Sequence, residues 1–263
     1  MWDLTFISEE DFTRHVASTI EQYGKKLKSI DLKSFNSNIV DPIKLTFDMM
    51  VYKSSWEEII KNEISRQRDK ANNNDIGYFH QKMFQYIKNC EVPKAGWDVI
   101  YRNPNGIETV DGEIVHTAYI EMKNKHNTMN AASSAKTYMK AQNQLLEDDD
   151  CVCCLVEAIA KHSQDIKWAA VADGRRLQHK RIRRMSMDKF YQMVTGDEEA
   201  FYKICVVLPS VIENVIKNSE IVIPNDTVIP ELLKIADEKK ISMAMAVYLL
   251  GFGEYSGFKN IAK

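Results

Sequence analysis

The sequence predicts an α/β fold in which a mixed central β-sheet is flanked by α-helices, with mainly helical N-terminal and C-terminal parts. Three observations predict it: helix-like spacing of apolar residues in the first ninety residues, a run of strands and turns from about residue 97, and two short apolar strands after a later helix. Helices followed by strands that alternate with a helix are typical of a sheet covered by helical layers.

The N-terminal ninety residues are predicted to be mainly helical. Apolar residues recur there at helical spacing with charged residues between them: Phe47, Met50, Val51, Trp56, Ile59, Ile60 and Ile64. The four short polar residues Asn72 to Asp75 predict a loop or a helix cap. A further helix is expected after Gly77, with His80 and Gln81 on its more polar faces.

A β-meander is predicted from Trp97 onward. Residues 97–102 (WDVIYR) form the first strand, NPNG at 103–106 predicts a turn, and Asp111-Gly112 predicts a hairpin turn before a strand at 116–123. Ser133 or Ser134 is expected to cap a helix that runs to about residue 146, followed by strands at 152–158 and 167–172.

The rest of the chain is predicted to hold a basic segment, helices near 187–195 and 200–217, and a linker with Pro224 and Pro230 that leads into a C-terminal helix. We therefore divide the chain into an N-terminal helical part at 1–90, a sheet-containing core with the basic segment at 91–220, and a C-terminal helical segment at 221–263.

Composition narrows the class of protein. The net charge is −2 over 263 residues, and no apolar run approaches the roughly 18–20 residues that cross a bilayer. Acidic residues stand near the N-terminus, where a secretory signal would have basic ones, so a cytoplasmic protein without membrane contact is expected. Cys151, Cys153 and Cys154 lie together in an apolar strand, where cysteines behave as small hydrophobes, which favours reduced core cysteines over a zinc site.

Three residues form a candidate catalytic centre: Asp98 on one predicted strand, and Glu121 and Lys123 on a later one. Side chains two apart in a strand point to the same face, so Glu121 and Lys123 project together. If the strands are neighbours, two carboxylates and one ammonium meet at the end of the sheet. An ExK triplet is common by chance, and the alternative interpretation is an ion pair on a solvated strand edge.

This trio suits the hydrolysis of a phosphodiester. Asp98 and Glu121 offer the hard oxygen ligands that Mg²⁺ prefers, and the metal neutralises charge on the transition state and lowers the pKa of a bound water. Lys123 would orient the attacking water or help to deprotonate it.

Two further segments are candidates for DNA contact. The polar loop NKHNTMNAASS carries amides, hydroxyls and an amine that bind phosphate oxygens, at Lys125, Asn127, Asn130, Ser133 and Ser134. The run RRLQHKRIRR from Arg175 to Arg184 has six Lys or Arg and no acid. The alternative for the first is an ordinary polar loop that precedes a helix, and the alternative for the second is a generic basic patch.

The strings IGYFHQKMFQYI, GWDVI and YIEMKNKHNTMN, with KTYMK after them, resemble type II restriction endonucleases that cleave GGNCC sites, a family of the PD-(D/E)xK nuclease superfamily. The similarity is clearest from about Ile76 to Lys140 and is weaker through RIRRMSMDKFYQMVTG and LPSVI. It implies a restriction-endonuclease-like sheet, Mg²⁺-dependent double-strand cleavage, and catalytic Asp98, Glu121 and Lys123. Trp97 replaces the proline of the superfamily pattern, at a position outside the metal ligands.

The resemblance carries further expectations. Gln81 would lie near the site, on the helix where related nucleases often have an acid or a glutamine. At least one of Arg181, Arg183 and Arg184 would contact guanine, because a bidentate arginine reads guanine O6 and N7. A symmetric site implies a homodimer, and a host must hold the cognate DNA methyltransferase. The alternatives are a repair or junction-resolving nuclease of the superfamily and a non-catalytic DNA-binding protein.

Overall fold

The computed structural model describes residues 2–109, 111–172, 174–219, 225–255, 258 and 261. Its helices are α1 (Glu9–Lys26), α2 (Leu32–Phe35), α3 (Pro42–Tyr52), α4 (Trp56–Met83), α5 (Ala131–Glu147), α6 (Met187–Thr195), α7 (Ala200–Lys217), α8 (Val228–Glu238) and α9 (Met243–Phe252). Its strands are β1 (Cys90–Glu91), β2 (Val99–Glu108), β3 (Ile114–Lys125), β4 (Cys151–Ile159), β5 (Asp165–Ala172) and β6 (Arg175–Ser186).

The chain forms two compact units that are discontinuous in sequence. The first contains residues 1–20 and 74–219, and the second contains residues 21–73 and 220–263. These divisions fall after residues 20, 73 and 219, whereas the divisions expected from the sequence fall after residues 90 and 220. Helices α1 and α4 each run across a division.

The first unit is built on one mixed sheet with the strand order β1-β2-β3-β4-β6-β5. Strands β1, β2 and β3 pair antiparallel, β3, β4 and β6 pair parallel, and β5 pairs antiparallel with β6. The predicted mixed sheet flanked by helices is confirmed. The parallel pairing places the C-terminal ends of β3, β4 and β6 at the same end of the sheet.

Two apolar clusters lie on opposite faces of the sheet. The larger one contains Ala118, Ile120, Val152 and Val156 and packs beneath α1, α6 and α7. The smaller one contains Cys153, with Leu155, Trp168, Ile182 and Tyr138 of α5. From Ala118 onward, even-numbered residues of β3 therefore face the larger cluster and odd-numbered residues face α5, as the two-residue repeat of a strand requires. Cys151, Cys153 and Cys154 are free and buried within β4, as reduced core cysteines.

The second unit has a core of its own. Phe35, Ile60, Leu232 and Val247 are among its buried residues, and α9 packs against α3 and α8. The C-terminal segment thus packs within its own unit. Across the described residues, no helix is both long enough and apolar enough to cross a bilayer.

The predicted break at Asn72 to Asp75 is wrong. Helix α4 is 28 residues long and continues through this segment without a break. Asn and Asp cost only a few tenths of a kcal/mol each in a helix interior relative to better helix formers, so packing on either side overrides them. Asp75 is buried at this point of the helix.

The predicted NPNG turn is also wrong. Strand β2 continues through Asn103 to Gly106, and its register against β3 shifts between Arg102 and Ile107. Gly106 has φ +88°, so its backbone adopts a conformation that L side chains rarely take and the strand bulges rather than reverses. The hairpin turn is confirmed at Gly112, whose N–H donates to the Thr109 carbonyl at 3.0 Å.

Two helix starts differ from expectation. The cap of α5 is Asn130, whose side-chain oxygen accepts the Ser133 N–H at 2.8 Å, so neither Ser133 nor Ser134 is the cap. Pro230 lies in the first turn of α8, where a missing N–H is tolerated, rather than in a linker. Pro224 lies outside the described residues. The segment predicted only as basic forms strand β6, and the helices predicted near 187–195 and 200–217 are confirmed.

Candidate active site

Strand pairing brings Asp98 beside the Glu-x-Lys strand. Asp98 directly precedes β2, and its N–H donates to the carbonyl of Ile120 at 2.9 Å. Val99 stands opposite Ile120 in the antiparallel register. Glu121 and Lys123 share the α5-facing side of β3, while Met122 packs against the larger cluster on the other side. The predicted meeting of two carboxylates and an ammonium at the end of the sheet is therefore what the pairing produces.

The Asp98 carboxylate is half-buried and held by the backbone of β3. Its Oδ2 accepts the N–H of Met122 at 2.7 Å. Burial raises the pKa of Asp98, and the nearby negative charge of Glu121 acts in the same direction, whereas the Met122 hydrogen bond opposes both. A carboxylate in this position gains from an added positive charge.

The Glu121 carboxylate lies between two lysines. Lys123 Nζ is 2.7 Å from Oε1, and Lys140 Nζ is 2.7 Å from Oε2. Burial acts to raise the pKa of Glu121, but the hydrogen bonds from these two ammonium groups outweigh it, and the pKa lies below its ordinary value. Glu121 is therefore held as a carboxylate.

Lys140 was absent from the site residues predicted from the sequence. It lies on α5, 19 residues after Glu121, and reaches the site because that helix covers the same face of the sheet. A signal was available in the KTYMK string, which the family resemblance includes. Helical periodicity alone could not distinguish Lys140 from the solvated lysines of the same helix.

Gln81 is a direct neighbour of Asp98. From α4, its Nε2 donates to the Asp98 carbonyl at 3.2 Å. The contact is to the backbone, so Gln81 supports the segment that carries the carboxylate. His80 beside it is partly buried, and burial lowers the pKa of His80 from 6.5 to about 4.

The chemistry of the donors fits a hard divalent cation. The carboxylates of Asp98 and Glu121 are close enough that the charge of Glu121 helps to raise the pKa of Asp98. Such hard oxygen ligands suit Mg²⁺ or Mn²⁺. Within the described part of the chain, no group of three or more His, Cys, Asp or Glu residues could hold a metal ion. A cation at this site would therefore take two protein carboxylates and fill its remaining positions with water and phosphate oxygens.

The polar loop after β3 leads from the site to α5. Lys125 and Asn127 are exposed, and Asn130 caps the helix with its side-chain oxygen. Ser133 and Ser134 lie in the first turn of α5, the first exposed and the second half-buried. Their contact with DNA stays a prediction, as does that of Lys125 and Asn127.

The three arginines expected to read guanine are all engaged in ion pairs. Arg183 is 7% exposed and its Nε donates to Asp165 at 2.7 Å, while Arg181 Nε is 3.2 Å from Glu113. Arg184 pairs with Glu157 and also donates to the His126 carbonyl at 3.1 Å. Base reading by any of them would compete with these pairs, and it stays a prediction.

The N-terminal end of β6 is more exposed than its C-terminal end. Arg175 and Arg176 are exposed, and neither pairs with an acidic side chain among the residues that the structure describes. Gln178 and His179 are exposed as well. The basic run therefore consists of an exposed outer half and an inner half paired with carboxylates.

The sheet, its helical layers and the cluster of Asp98, Glu121 and Lys123 define a restriction-endonuclease-like α/β protein. The family model of the Eco47II restriction endonuclease matches residues 4–217 of the chain. The type II restriction enzyme Sau96I of Staphylococcus aureus is 28% identical over 220 residues, which cover 80% of each chain. The type II restriction enzyme Eco47II of Escherichia coli is 27% identical over 223 residues, covering 81% of this chain and 88% of that enzyme.

The chain belongs to the Eco47II restriction endonuclease family. It is accordingly a type II site-specific deoxyribonuclease, and DNA is its substrate.

Proposed function

We propose that the protein cleaves both strands of DNA at a short symmetric site, GGNCC, in a Mg²⁺-dependent hydrolysis catalysed by Asp98, Glu121 and Lys123. The observation that carries this proposal is the set of hydrogen bonds at one end of the sheet. Asp98 accepts the Met122 N–H, and Glu121 pairs with Lys123 at 2.7 Å. The GGNCC site rests on the resemblance of the segment YIEMKNKHNTMN to the family that cleaves it.

Asp98 and Glu121 would hold the metal ion. Bound Mg²⁺ supplies positive charge that offsets the negative charge developing on the phosphate in the transition state. Asp98 is held for this role by its hydrogen bond to the β3 backbone, and Glu121 by its hydrogen bond from Lys123. Rigid ligands matter because a displacement of about 1 Å can cost a large factor in rate.

Lys123 would act on the water and the phosphate. Its ammonium lies 2.7 Å from Glu121 and is partly exposed, at the open end of the strand. From there it can donate a hydrogen bond to an attacking water and stabilise the charge of the phosphate oxygens. Strand geometry keeps it on the same face as Glu121, whatever its side-chain torsions.

The DNA-binding surface would combine the loop after β3 with the basic strand β6. Lys125 and Asn127 are exposed at and just after the C-terminal end of β3. Arg175 and Arg176 are exposed at the N-terminal end of β6. Exposed amines and guanidinium groups suit phosphates, which fix the register of the protein on the duplex. Guanine contacts by Arg181, Arg183 or Arg184 belong to the same proposal, at the cost of their present ion pairs.

A homodimer follows from the symmetry of the proposed site. One set of Asp98, Glu121 and Lys123 serves one strand, so two chains related by a two-fold axis would cut a symmetric duplex. A methyltransferase of the same specificity would protect the host genome without contacting this chain.

Digestion of a plasmid of known sequence tests the proposal. With Mg²⁺ we expect discrete fragments that end at GGNCC sites, and with EDTA no cleavage. A nuclease that recognises DNA structure would instead leave nicks or cuts at branched junctions. Fragments with discrete ends at another sequence would reject GGNCC while leaving the catalytic centre in place.

The Lys123→Ala variant tests the mechanism. We expect cleavage to fall by at least about 10²-fold with DNA affinity retained in Ca²⁺. The exposed Lys161→Ala variant is the matched control and should cleave at the wild-type rate. A Lys123→Ala variant that cuts at the wild-type rate contradicts the assigned role.

A further inference from the structure

Both oxygens of the Glu121 carboxylate accept hydrogen bonds from lysine side chains. Lys123 holds Oε1 and Lys140 holds Oε2, each at 2.7 Å. Each oxygen keeps a second lone pair, so a cation could bind Glu121 beside the lysines, but it would meet two positive charges there. A lysine that withdraws from its oxygen as the cation binds lowers this repulsion.

Lys140 has other partners that would keep it in place, whereas Lys123 is anchored through Glu121. The Lys140 ammonium also donates to the Gly96 carbonyl at 2.7 Å and lies 4.1 Å from the centroid of the Trp97 ring. A carbonyl and an aromatic face together retain an ammonium after it leaves a carboxylate. Lys140 is thus the lysine that can leave Glu121 without moving far.

The same helix also holds the segment that leads into Asp98. One turn after Lys140, Gln144 Oε1 accepts the Trp97 Nε1–H at 2.8 Å. Trp97 is 8% exposed, and its ring lies 5.7 Å from that of Tyr119 on β3. Helix α5 therefore positions residues 96 and 97 directly before Asp98, and it also holds Glu121.

We propose that Lys140 is a positioning residue of the active site, which holds Glu121 Oε2 and withdraws from that oxygen as a divalent cation binds. This inference rests on the proposed function, because it needs Glu121 to be a metal ligand. Lys140 couples the two carboxylate-bearing segments through Gly96 and Glu121. It also competes with the metal, both for the oxygen and through its positive charge.

These two effects have opposite consequences, which makes the proposal testable. In the Lys140→Met variant, Glu121 Oε2 is free and a repelling charge is gone, so the variant should bind Mn²⁺ roughly three- to tenfold more tightly without DNA. Its cleavage rate constant should fall by at least about tenfold, since the segment of residues 96–97 that leads into Asp98 loses the ammonium that stays on the Gly96 carbonyl. Its affinity for DNA in Ca²⁺ should change less than about threefold.

The experiment measures free Mn²⁺ by electron paramagnetic resonance in the full-length protein, with single-turnover cleavage measured separately. Lys136→Met, one turn earlier on α5 and exposed, is the matched control and should keep wild-type values in both assays. Lys140→Arg keeps the charge and should restore wild-type Mn²⁺ affinity. Circular dichroism confirms that each variant is folded.

Each outcome is decisive. Tighter Mn²⁺ binding with slower cleavage supports the proposal. Unchanged or weaker Mn²⁺ binding by a folded Lys140→Met variant, or an unchanged cleavage rate, overturns it. Glu121→Gln separates this from the proposed function: if that variant binds Mn²⁺ as wild type does, Glu121 is not a ligand and the parent proposal fails instead.

Discussion

The Asp98 carboxylate accepts a 2.7 Å hydrogen bond from the N–H of Met122, the amide between Glu121 and Lys123. This single contact ties one predicted metal ligand to the strand that carries the other. It sets the position of Asp98 through the backbone, so the side chain of Met122 is free to pack against the larger apolar cluster.

Asp98→Asn should separate stability from activity. Burial raises the pKa of Asp98, which means that folding disfavours its charged form at neutral pH. The neutral amide can still accept the Met122 N–H, so we expect a free energy of unfolding equal to or above that of the wild type, with cleavage reduced at least about 10²-fold. Urea unfolding and a cleavage assay measure the two.

Asp98→Ala is the companion variant. It leaves the Met122 N–H without its acceptor, at a cost of about 1–3 kcal/mol for a buried donor. A variant as stable as Asp98→Asn would show that the hydrogen bond contributes nothing to the fold.

Arg184→Ala should destabilise the protein by about 3–5 kcal/mol, because it leaves a buried carboxylate unpaired. Glu157 is 1% exposed, and its Oε2 has no hydrogen-bond partner in the described structure even with Arg184 present. Adding Glu157→Gln to Arg184→Ala should recover part of the stability, since the double variant buries no isolated charge. Unfolding in urea measures both.

The same variants distinguish a structural arginine from a base-reading one. If Arg184 reads guanine, its removal relaxes the cleavage-site preference beyond GGNCC. If it supports the loop at His126, the fragment pattern is unchanged while the rate falls. A free energy of unfolding of Arg184→Ala within about 0.5 kcal/mol of the wild-type value would refute the structural role.

The exposed end of β6 should contribute to binding without contributing to stability. Each phosphate that Arg175 or Arg176 neutralises should add about one to the slope of log K against log salt concentration, so replacing both with alanine should make that slope shallower. The free energy of unfolding should stay within about 0.5 kcal/mol, because both side chains are exposed and lack acidic partners in the described residues. Fluorescence anisotropy across a salt series measures the slope, and a slope equal to that of the wild type would remove this end of the strand from the interface.

His80 should make stability depend on pH between about 6.5 and 4. Burial lowers the pKa of His80 from 6.5 to about 4, so within this window the unfolded chain binds a proton that the folded chain does not. Stability is then fully present above pH 6.5 and falls as the pH drops towards 4, by about 1–3 kcal/mol from this residue.

His80→Gln should flatten part of that fall, measured as the difference between unfolding free energies at pH 7 and pH 4.5. The exposed His162→Gln variant is the control and should keep the wild-type difference. Burial also lowers the pKa of His15, which lies near His80, so some pH dependence should persist in the variant. If the unfolding free energy of His80→Gln depends on pH as that of the wild type does, His80 is not a source of the pH dependence.

Strand pairing explains why so much of the site was predictable. The Glu121–Lys123 spacing fixes a shared face for any strand, and a short hairpin at Gly112 makes the strand before it the neighbour. Local signals were less dependable where packing competes with them. Asn72 to Asp75 and Asn103 to Gly106 carry turn residues, yet α4 and β2 continue through both.

Patterns along the chain were enough to predict the sheet with its helical layers, the trio of Asp98, Glu121 and Lys123, and the family resemblance, because each follows from short-range periodicity or from a long distinctive string. Which charges meet depended on the three-dimensional packing. Packing brought Lys140 to Glu121 and paired Arg183 and Arg184 with Asp165 and Glu157. Such pairings join residues 18 to 27 positions apart through helix docking and strand order, and no local pattern records them.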